Sequence, residues 1–532
     1  VDNVQYQPKM GYYEAMDMGQ LPFYAFAFTV VIFLVLSLFK TTRPGTIQQY
    51  FWGDGKLSQR SVVSLLLSNS FSLNGLLYQV WLGYLIGWWS IGIQLVWCAS
   101  FVVLMCRPER LASIIHRGTL HGVVAERFGT RAGKLAALAS IIGFAGLIGW
   151  EAVVGATLLR QFGGVSVALF VVLPILLALV SAYYTRSGGL HGNGRMNLIQ
   201  NRFKALVLIG AACALVFFLS EHGLASPGSN KTLCEALTAL GGVALVANLS
   251  FSLLWQIVDM SLWQSLAGLV QKNEPNAARQ LKSAIGGTAI SVLVFPGLIG
   301  TVIGVTIAGL PVEASDMNIL NVFVTQVSQY PFLALFLIGA FAAAMLSTID
   351  GYSLAASQAI SWDLARTKVV KKLLALEEPR DATNEDRMVI SLSRAMVFLV
   401  GVGGAVMMIS LVFGLNVGLF DLVYAVVVGQ MSLSGPVLVT LFGREQFRVK
   451  YGSLPIGLSL VCGLVALALG VTIAPNALTW APVITIAISI LLSLLLYSRA
   501  DITDNEATPH DAGHGMVTPP REVSPGAQPN GA

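Results

Sequence analysis

The chain has 532 residues, 55% of them hydrophobic and only 11% charged, against about 25% charged in an ordinary soluble domain. Apolar stretches long enough for the roughly 30 Å of bilayer hydrocarbon recur along most of its length. They are too long and too uniformly apolar for the ~10-residue alternating strands of a membrane barrel, so the chain reads as an all-α polytopic membrane protein.

Residues 1–20 carry Asp2, Glu14 and Asp17 against Lys9. They lack the basic start of a signal peptide, so the first apolar stretch is expected to stay as a span. Thirteen spans are predicted, near 21–39, 61–82, 84–106, 132–161, 165–184, 196–219, 241–269, 283–309, 332–361, 388–413, 415–442, 455–474 and 477–497. Arg and Lys cluster after every odd-numbered span through the eleventh, as in Arg107, Arg110, Arg117, Arg127 and Arg131, or Arg366, Lys368, Lys371 and Lys372. The intervening loops are nearly free of them, Lys231 being the main exception. Basic loops stay in the cytoplasm, which predicts an N-terminus outside and a C-terminus inside. This asymmetry also accounts for the net charge of +5, so no nucleic-acid partner is called for. The partners expected are the lipid bilayer and a small-molecule solute.

Along the chain, Gly53-Asp54-Gly55-Lys56 resembles a phosphate loop, but Tyr50 stands at the first glycine position of that pattern. No ATP-driven pump is indicated. The second span reads Leu67-Ser68-Asn69-Ser70-Phe71-Ser72-Leu73-Asn74-Gly75, six of nine residues being Ser, Asn or Gly. Such residues compete with the helical backbone for hydrogen bonds. They suit either helix–helix packing or an unwound segment lining a cavity, where carbonyls can bind an ion. The seventh span is interrupted likewise, at Asn248-Leu249-Ser250-Phe251-Ser252 and Trp255-Gln256-Ile257-Val258-Asp259. Two interruptions five spans apart are the mark of an inverted-repeat transporter with its site between them.

The ninth span holds Ala344-Met345-Leu346-Ser347-Thr348-Ile349-Asp350. Two adjacent hydroxyls with the Ala344 carbonyl offer three hard oxygen ligands, and carbonyls near Ser68 and Phe71 in the broken second span offer two more. Sodium is the ion expected there. Alternatively each hydroxyl bonds back to its own helix. Asp350 shares a face with Ser347 and is a candidate to tune the cation, take a proton or pair with Arg394. Asp259 is a candidate substrate-facing acid, or else a cap at the break. Gln94 and Gln430 are candidate solute donors or interhelical ties. Glu151 and Asp421 are intramembrane acids with no assigned role. No metal cluster or nucleophile motif suggests an enzyme.

Several motifs together resemble the sodium:solute symporter family, the group of the sodium–proline, sodium–galactose, pantothenate, sialic acid and urea symporters. They are Tyr50-Phe51-Trp52-Gly53-Asp54-Gly55-Lys56-Leu57, Gly83-Tyr84-Leu85-Ile86-Gly87, Glu126-Arg127-Phe128-Gly129, Ser187-Gly188-Gly189-Leu190 and Ala344-x-x-Ser347-Thr348-x-Asp350. The resemblance runs from about residue 20 to 445. It implies a core of five plus five helices in inverted repeat, with one extra helix before and two after. Residues 21–60 then form the extra helix and its loop, 61–219 the first core repeat, 220–445 the second, 446–498 two C-terminal helices, and 499–532 a disordered cytoplasmic tail. It also implies a sodium site of the Ser68, Phe71 and Ala344 carbonyls with the Ser347 and Thr348 hydroxyls, and a solute site at Gly75, Gln94 and Asp259.

Met196-Asn197-Leu198-Ile199-Gln200 departs from the family's Thr-Asp pattern, and Gly351 from its usual Ser. Val258-Asp259-x-x-x-Trp263-Gln264 is closer to the urea branch than to the sugar branch. The expected function is sodium-coupled symport of a small polar organic solute, urea or an amino acid for example, by alternating access across the plasma membrane. A proton-coupled symporter of the same fold, with Asp350 as carrier, and a transporter-like solute sensor are the alternatives. The segment after the last span is too short for the kinase such sensors are fused to.

Overall fold

In the computed structural model the described residues are 21–40, 44–115, 118–163, 167–221, 231–270, 274–308, 331–365, 382–415, 417–445 and 447–500. The predicted outer N-terminus, the large basic loop around Lys371 and the C-terminal tail lie outside them, apart from residues 499 and 500.

The first helices in chain order are α1 (Leu21–Lys40), α2 (Ile47–Trp52), α3 (Gln59–Ser70), α4 (Leu73–Ile86), α5 (Ser90–Met105), α6 (Pro108–Ile115) and α7 (Leu120–Phe128). There follow α8 (Thr130–Gly163), α9 (Val167–Glu221), α10 (Leu233–Leu240), α11 (Gly242–Val258), α12 (Met260–Ala267), α13 (Ala277–Val292) and α14 (Gly300–Ile307). The last are α15 (Pro331–Gln358), α16 (Ala382–Ile409), α17 (Leu422–Val426), α18 (Val428–Met431), α19 (Ser434–Phe442), α20 (Ser453–Thr472) and α21 (Pro475–Tyr497).

These elements follow the thirteen predicted spans. Eight of the described helical stretches are individually long and apolar enough to cross a bilayer, and a ninth is the pair Val171–Tyr183 and Gly188–Cys213, bent by 110°. The difference has local causes. Residues Leu73–Met105 form one apolar stretch by length but turn back on themselves. The Gln79 side chain donates to Ser90 O at 3.3 Å, and both residues meet the Thr301 hydroxyl. In one continuous helix residues 79 and 90 would stand about 16 Å apart. The α9 bend falls at Gly189, whose φ is +53°. A Cβ there would lie 2.4 Å from Tyr50 O, so both the backbone sign and the close approach require glycine. Segment α17–α19 is interrupted twice and is too short in any one piece.

The core is the expected five plus five. The broken pair α3/α4, then α5, α8 and the two arms of α9 make the first five. The broken pair α11/α12, then α13 with α14, α15, α16 and α17–α19 make the second. A π-helical turn at Leu293–Ile299, containing Pro296, joins α13 to α14, as expected where proline removes a backbone donor. Helix α1 packs against α15 and α9, and α20 and α21 form the closing pair.

Lipid supplies no hydrophobic drive between helices, so contact depends on close backbone approach. Where α8 crosses α16, a Cβ on Gly404 would fall 2.1 Å from Ala145 O, whereas one on the adjacent Gly403 would meet nothing within 4 Å. We predict that Gly404→Ala lowers the unfolding midpoint in detergent, by the equivalent of about 1–3 kcal/mol for overpacking. Gly403→Ala should be neutral or slightly stabilising, since alanine is the better helix former. Equal midpoints for the two variants would contradict this packing.

Candidate transport site at the two helix breaks

Helix α3 ends because Phe71 leaves the helical region, with φ −98° and ψ 51°. Ser72 is extended, and its hydroxyl accepts from Gly75 N at 2.9 Å to start α4. The buried Glu151 side chain reaches the same start from α8. Its two carboxylate oxygens accept from Leu73 N and from Asn74 N. The first N–H groups of α4 are thus satisfied by protein.

On the other side of the break stands Lys204, from the second arm of α9. Its side chain is fully buried. Nζ donates to Phe71 O and to Ser347 Oγ, each at 3.0 Å, and lies 4.7 Å from the Phe71 ring centroid. Lys204 and Glu151 thus stand on the two sides of one break.

The five oxygens assigned to sodium from sequence lie close together. Ser347 Oγ donates to Ala344 O at 2.8 Å. The Thr348 hydroxyl is 3.0 Å from both Ala344 O and Ser68 O. Lys204 Nζ bridges the remaining one, Phe71 O, to Ser347. Both hydroxyls therefore bond back to their own helix, and a charged amine is already against two of the five. The sequence reading passed over Lys204. The signal was available, because a lysine in the middle of an apolar span is by default a functional residue.

The second break is at Asp259, with ψ 102°. Asp259 Oδ1 accepts from Ser261 N at 2.9 Å and from Ser261 Oγ at 2.7 Å, making it the cap of α12. The breaks are joined, since Asn69 Nδ2 donates to Ser261 Oγ at 2.7 Å. Tyr352 of α15 contacts the same corner through Asn69 O at 3.4 Å. Asp350 points elsewhere. Its Oδ1 accepts from Ser181 at 2.6 Å and Thr185 at 2.8 Å, tying α15 to the first arm of α9. Arg394 donates to Arg186 O and stands over the Tyr50 ring.

A cavity of about 90 Å³ lies above the breaks, on the side of Lys231. Its floor is Asn69, Ser70, Ser72 and Tyr352. Its walls include Asn74, Gly75, Tyr78 and Gln79 of α4, Gln94 and Trp97 of α5, Trp150 of α8, and Asn248, Phe251, Ser252 and Trp255 of α11. Of the four residues predicted for the solute, Gly75 and Gln94 line it, while Asp259 and Gln430 do not. Gln430 lies against Gly143 of α8 and donates weakly to Ser140 O at 3.4 Å.

On the opposite side the described residues are packed together. Every residue of α12 is buried. His121 Nδ1 meets Asp363 Oδ2 at 2.7 Å, joining α7 to the end of α15.

No protein-family model and no curated protein matches the sequence. Among solved structures, the chain is similar to a sodium-coupled sialic acid symporter in its substrate-bound, outward-open state. The identity is 14% and the TM-score 0.68, over 92% of this chain and all of that one. Weaker likenesses are to a nucleobase-cation-symport-1 family transporter with bound bromovinylhydantoin (13% identity, 88% of this chain and 97% of that one, TM-score 0.47) and to a manganese transporter of Eremococcus coleocola (12%, 84% and 96%, TM-score 0.48). The first likeness shows a shared fold, the multi-pass inverted-repeat architecture that the motifs implied.

The two caps predict different costs. Asp259→Asn should leave stability near wild type, since asparagine caps as well as aspartate, and Asp259→Ala should lower it by about 0.5–2 kcal/mol. Glu151→Ala should cost more, about 1–3 kcal/mol for each of the two buried backbone N–H groups it leaves without a partner. Unfolding midpoints of the purified variants in detergent test this, and a tolerated Glu151→Ala would overturn the capping role.

Proposed function

We propose that the protein is a secondary transporter that carries a small, polar, uncharged organic solute by alternating access. The observation that carries this reading is the composition of the cavity above the breaks. Amides, hydroxyls and aromatic faces line it beside aliphatic residues such as Leu82, Ile93, Leu147 and Val423, and no Asp, Glu, Lys or Arg does so among the described residues. Burying a charged solute there would leave that charge unpaired, at a large desolvation cost.

The half-helix ends support the same reading. Inverted-repeat transporters aim the start of a half-helix at an anionic group of the solute. Here the first N–H groups of α4 are taken by Glu151 and Ser72, so a carboxylate has little to gain. Among the described residues, no group of three His, Cys, Asp or Glu side chains is arranged to hold a metal, which favours an organic cargo over a transition metal.

The finer reading has two forms, sodium-coupled symport and transport in which the positive charge at the break is the protein's own. The cluster of Ser68, Phe71, Ala344, Ser347 and Thr348 oxygens supports a position for one positive charge, and the similar sialic acid symporter is sodium-coupled. The Lys204 contact favours the other form, in which that charge belongs to the protein. The orientation that goes with this function puts the cavity on the outer side, in keeping with the basic loops opposite it.

Uptake into proteoliposomes tests the solute class. Radiolabelled urea, neutral amides and sugars should include a transported solute, and carboxylates without an amine should not. For whichever solute is carried, Gln94→Ala should raise the half-saturating concentration about 2- to 12-fold, the value of one neutral hydrogen bond. Gln430→Ala should leave it unchanged. The reverse order would move the solute to Gln430, and preferred uptake of a carboxylate would overturn the uncharged class.

A further inference from the structure

Lys204 stands where the sequence leads one to expect a metal ion. Nζ is 3.0 Å from both Phe71 O and Ser347 Oγ. A sodium ion using those two oxygens as ligands would have to share their lone pairs with the ammonium and sit beside it, charge against charge, in a fully buried place. Like charges at such a distance repel strongly where water is excluded.

The surroundings are built for the amine. The carbonyl end of α3 presents its negative pole to it. The Phe71 ring offers a face at 4.7 Å, within cation–π range. Glu151 holds the amide side of the same break from α8. The amine also performs the structural task of a bound cation, because it fastens the broken α3/α4 pair to α15 through one positive charge. Its own stem anchors that charge to α9, so the charge cannot leave with the solute.

We propose that the Lys204 ammonium is a tethered cation that takes the place of sodium at the break, so that this site binds no sodium in the wild-type protein. The proposal deepens the transport reading and rests on it for uptake only; binding can be measured without it.

The test uses the full-length protein in detergent, with unfolding midpoints read across a series of NaCl balanced by choline chloride at constant ionic strength. A ligand that binds only the folded state raises the midpoint in a saturable way. The wild type should show no difference between the two salts. Lys204→Ala and Lys204→Gln remove the ammonium, and whichever of them folds should gain a saturable, sodium-specific rise that is lost again on adding Ser347→Ala. A saturable sodium-specific rise in the wild type, abolished by Ser347→Ala, overturns the proposal, as does a folded Lys204 variant that stays blind to sodium. Should neither variant fold, the wild-type comparison with Ser347→Ala decides alone. In proteoliposomes, wild-type uptake should be the same in sodium and in choline. Absence of uptake for every solute would count against the transport reading and leave the binding result standing.

Discussion

Inside a bilayer every backbone N–H and C=O must find a partner within the protein. The interruption between α3 and α4 violates the usual solution, which is an unbroken helix, and the rest of the site follows from how the loose ends are satisfied. Lys204 takes the carbonyl end of α3, and Glu151 takes the amide end of α4. Each side chain meets backbone groups that the break leaves without a partner in their own helix. An unwound segment held in this way can form the floor of a cavity with the backbone ends of both half-helices met by protein groups.

The second break is managed with a different device. Asp259 turns its carboxylate onto the first residues of α12 and so completes a cap from within its own segment. Asn69 and Ser261 then tie one break to the other. The cavity opens on the side where α4 and α11 diverge from these breaks. Across that half runs a chain of hydrogen bonds, from Tyr78 to Asn248 at 2.7 Å and from Asn248 to Tyr424 at 3.0 Å. It links α4, α11 and α17. On the opposite side, α12 is packed in and His121 with Asp363 joins α7 to α15. Alternating access in this fold amounts to exchanging which half is packed while the breaks stay in place.

Motion of that kind needs helices that touch closely and present little side-chain relief. The crossing at Ala145, Gly149 and Gly404 brings backbone against backbone, and such crossings resist deformation better than they resist rigid displacement. Asp350, fixed by Ser181 and Thr185, couples α15 to the first arm of α9. It therefore serves to hold the hydroxyl-bearing helix in register with its neighbour.

Much of this was legible in the chain. Hydropathy and the basic loops gave the membrane setting and the segment count, because the cost of burying polar groups acts on each segment by itself. The polar runs at 67–75 and 248–259 located both breaks, since Ser, Asn and Gly weaken a helix wherever they stand. The Ser347–Thr348 pair and the Ala344 carbonyl could be grouped for the same local reason, while the Ser68 and Phe71 carbonyls were joined to them by the resemblance to the sodium:solute symporters. The tertiary structure alone decided what meets those groups. Lys204 is 133 residues from Phe71 and 143 from Ser347, and Glu151 is 78 from Leu73. No local pattern links residues so far apart. Gln94 and Gln430 look alike in sequence, each an amide in an apolar run, yet one lines the cavity and the other packs against Gly143. Asp259 could face a solute or cap a helix, and the direction of its carboxylate was settled by the backbone angles at the break. A sequence states which groups must be satisfied in the membrane; only the packed helices determine which partner satisfies each one.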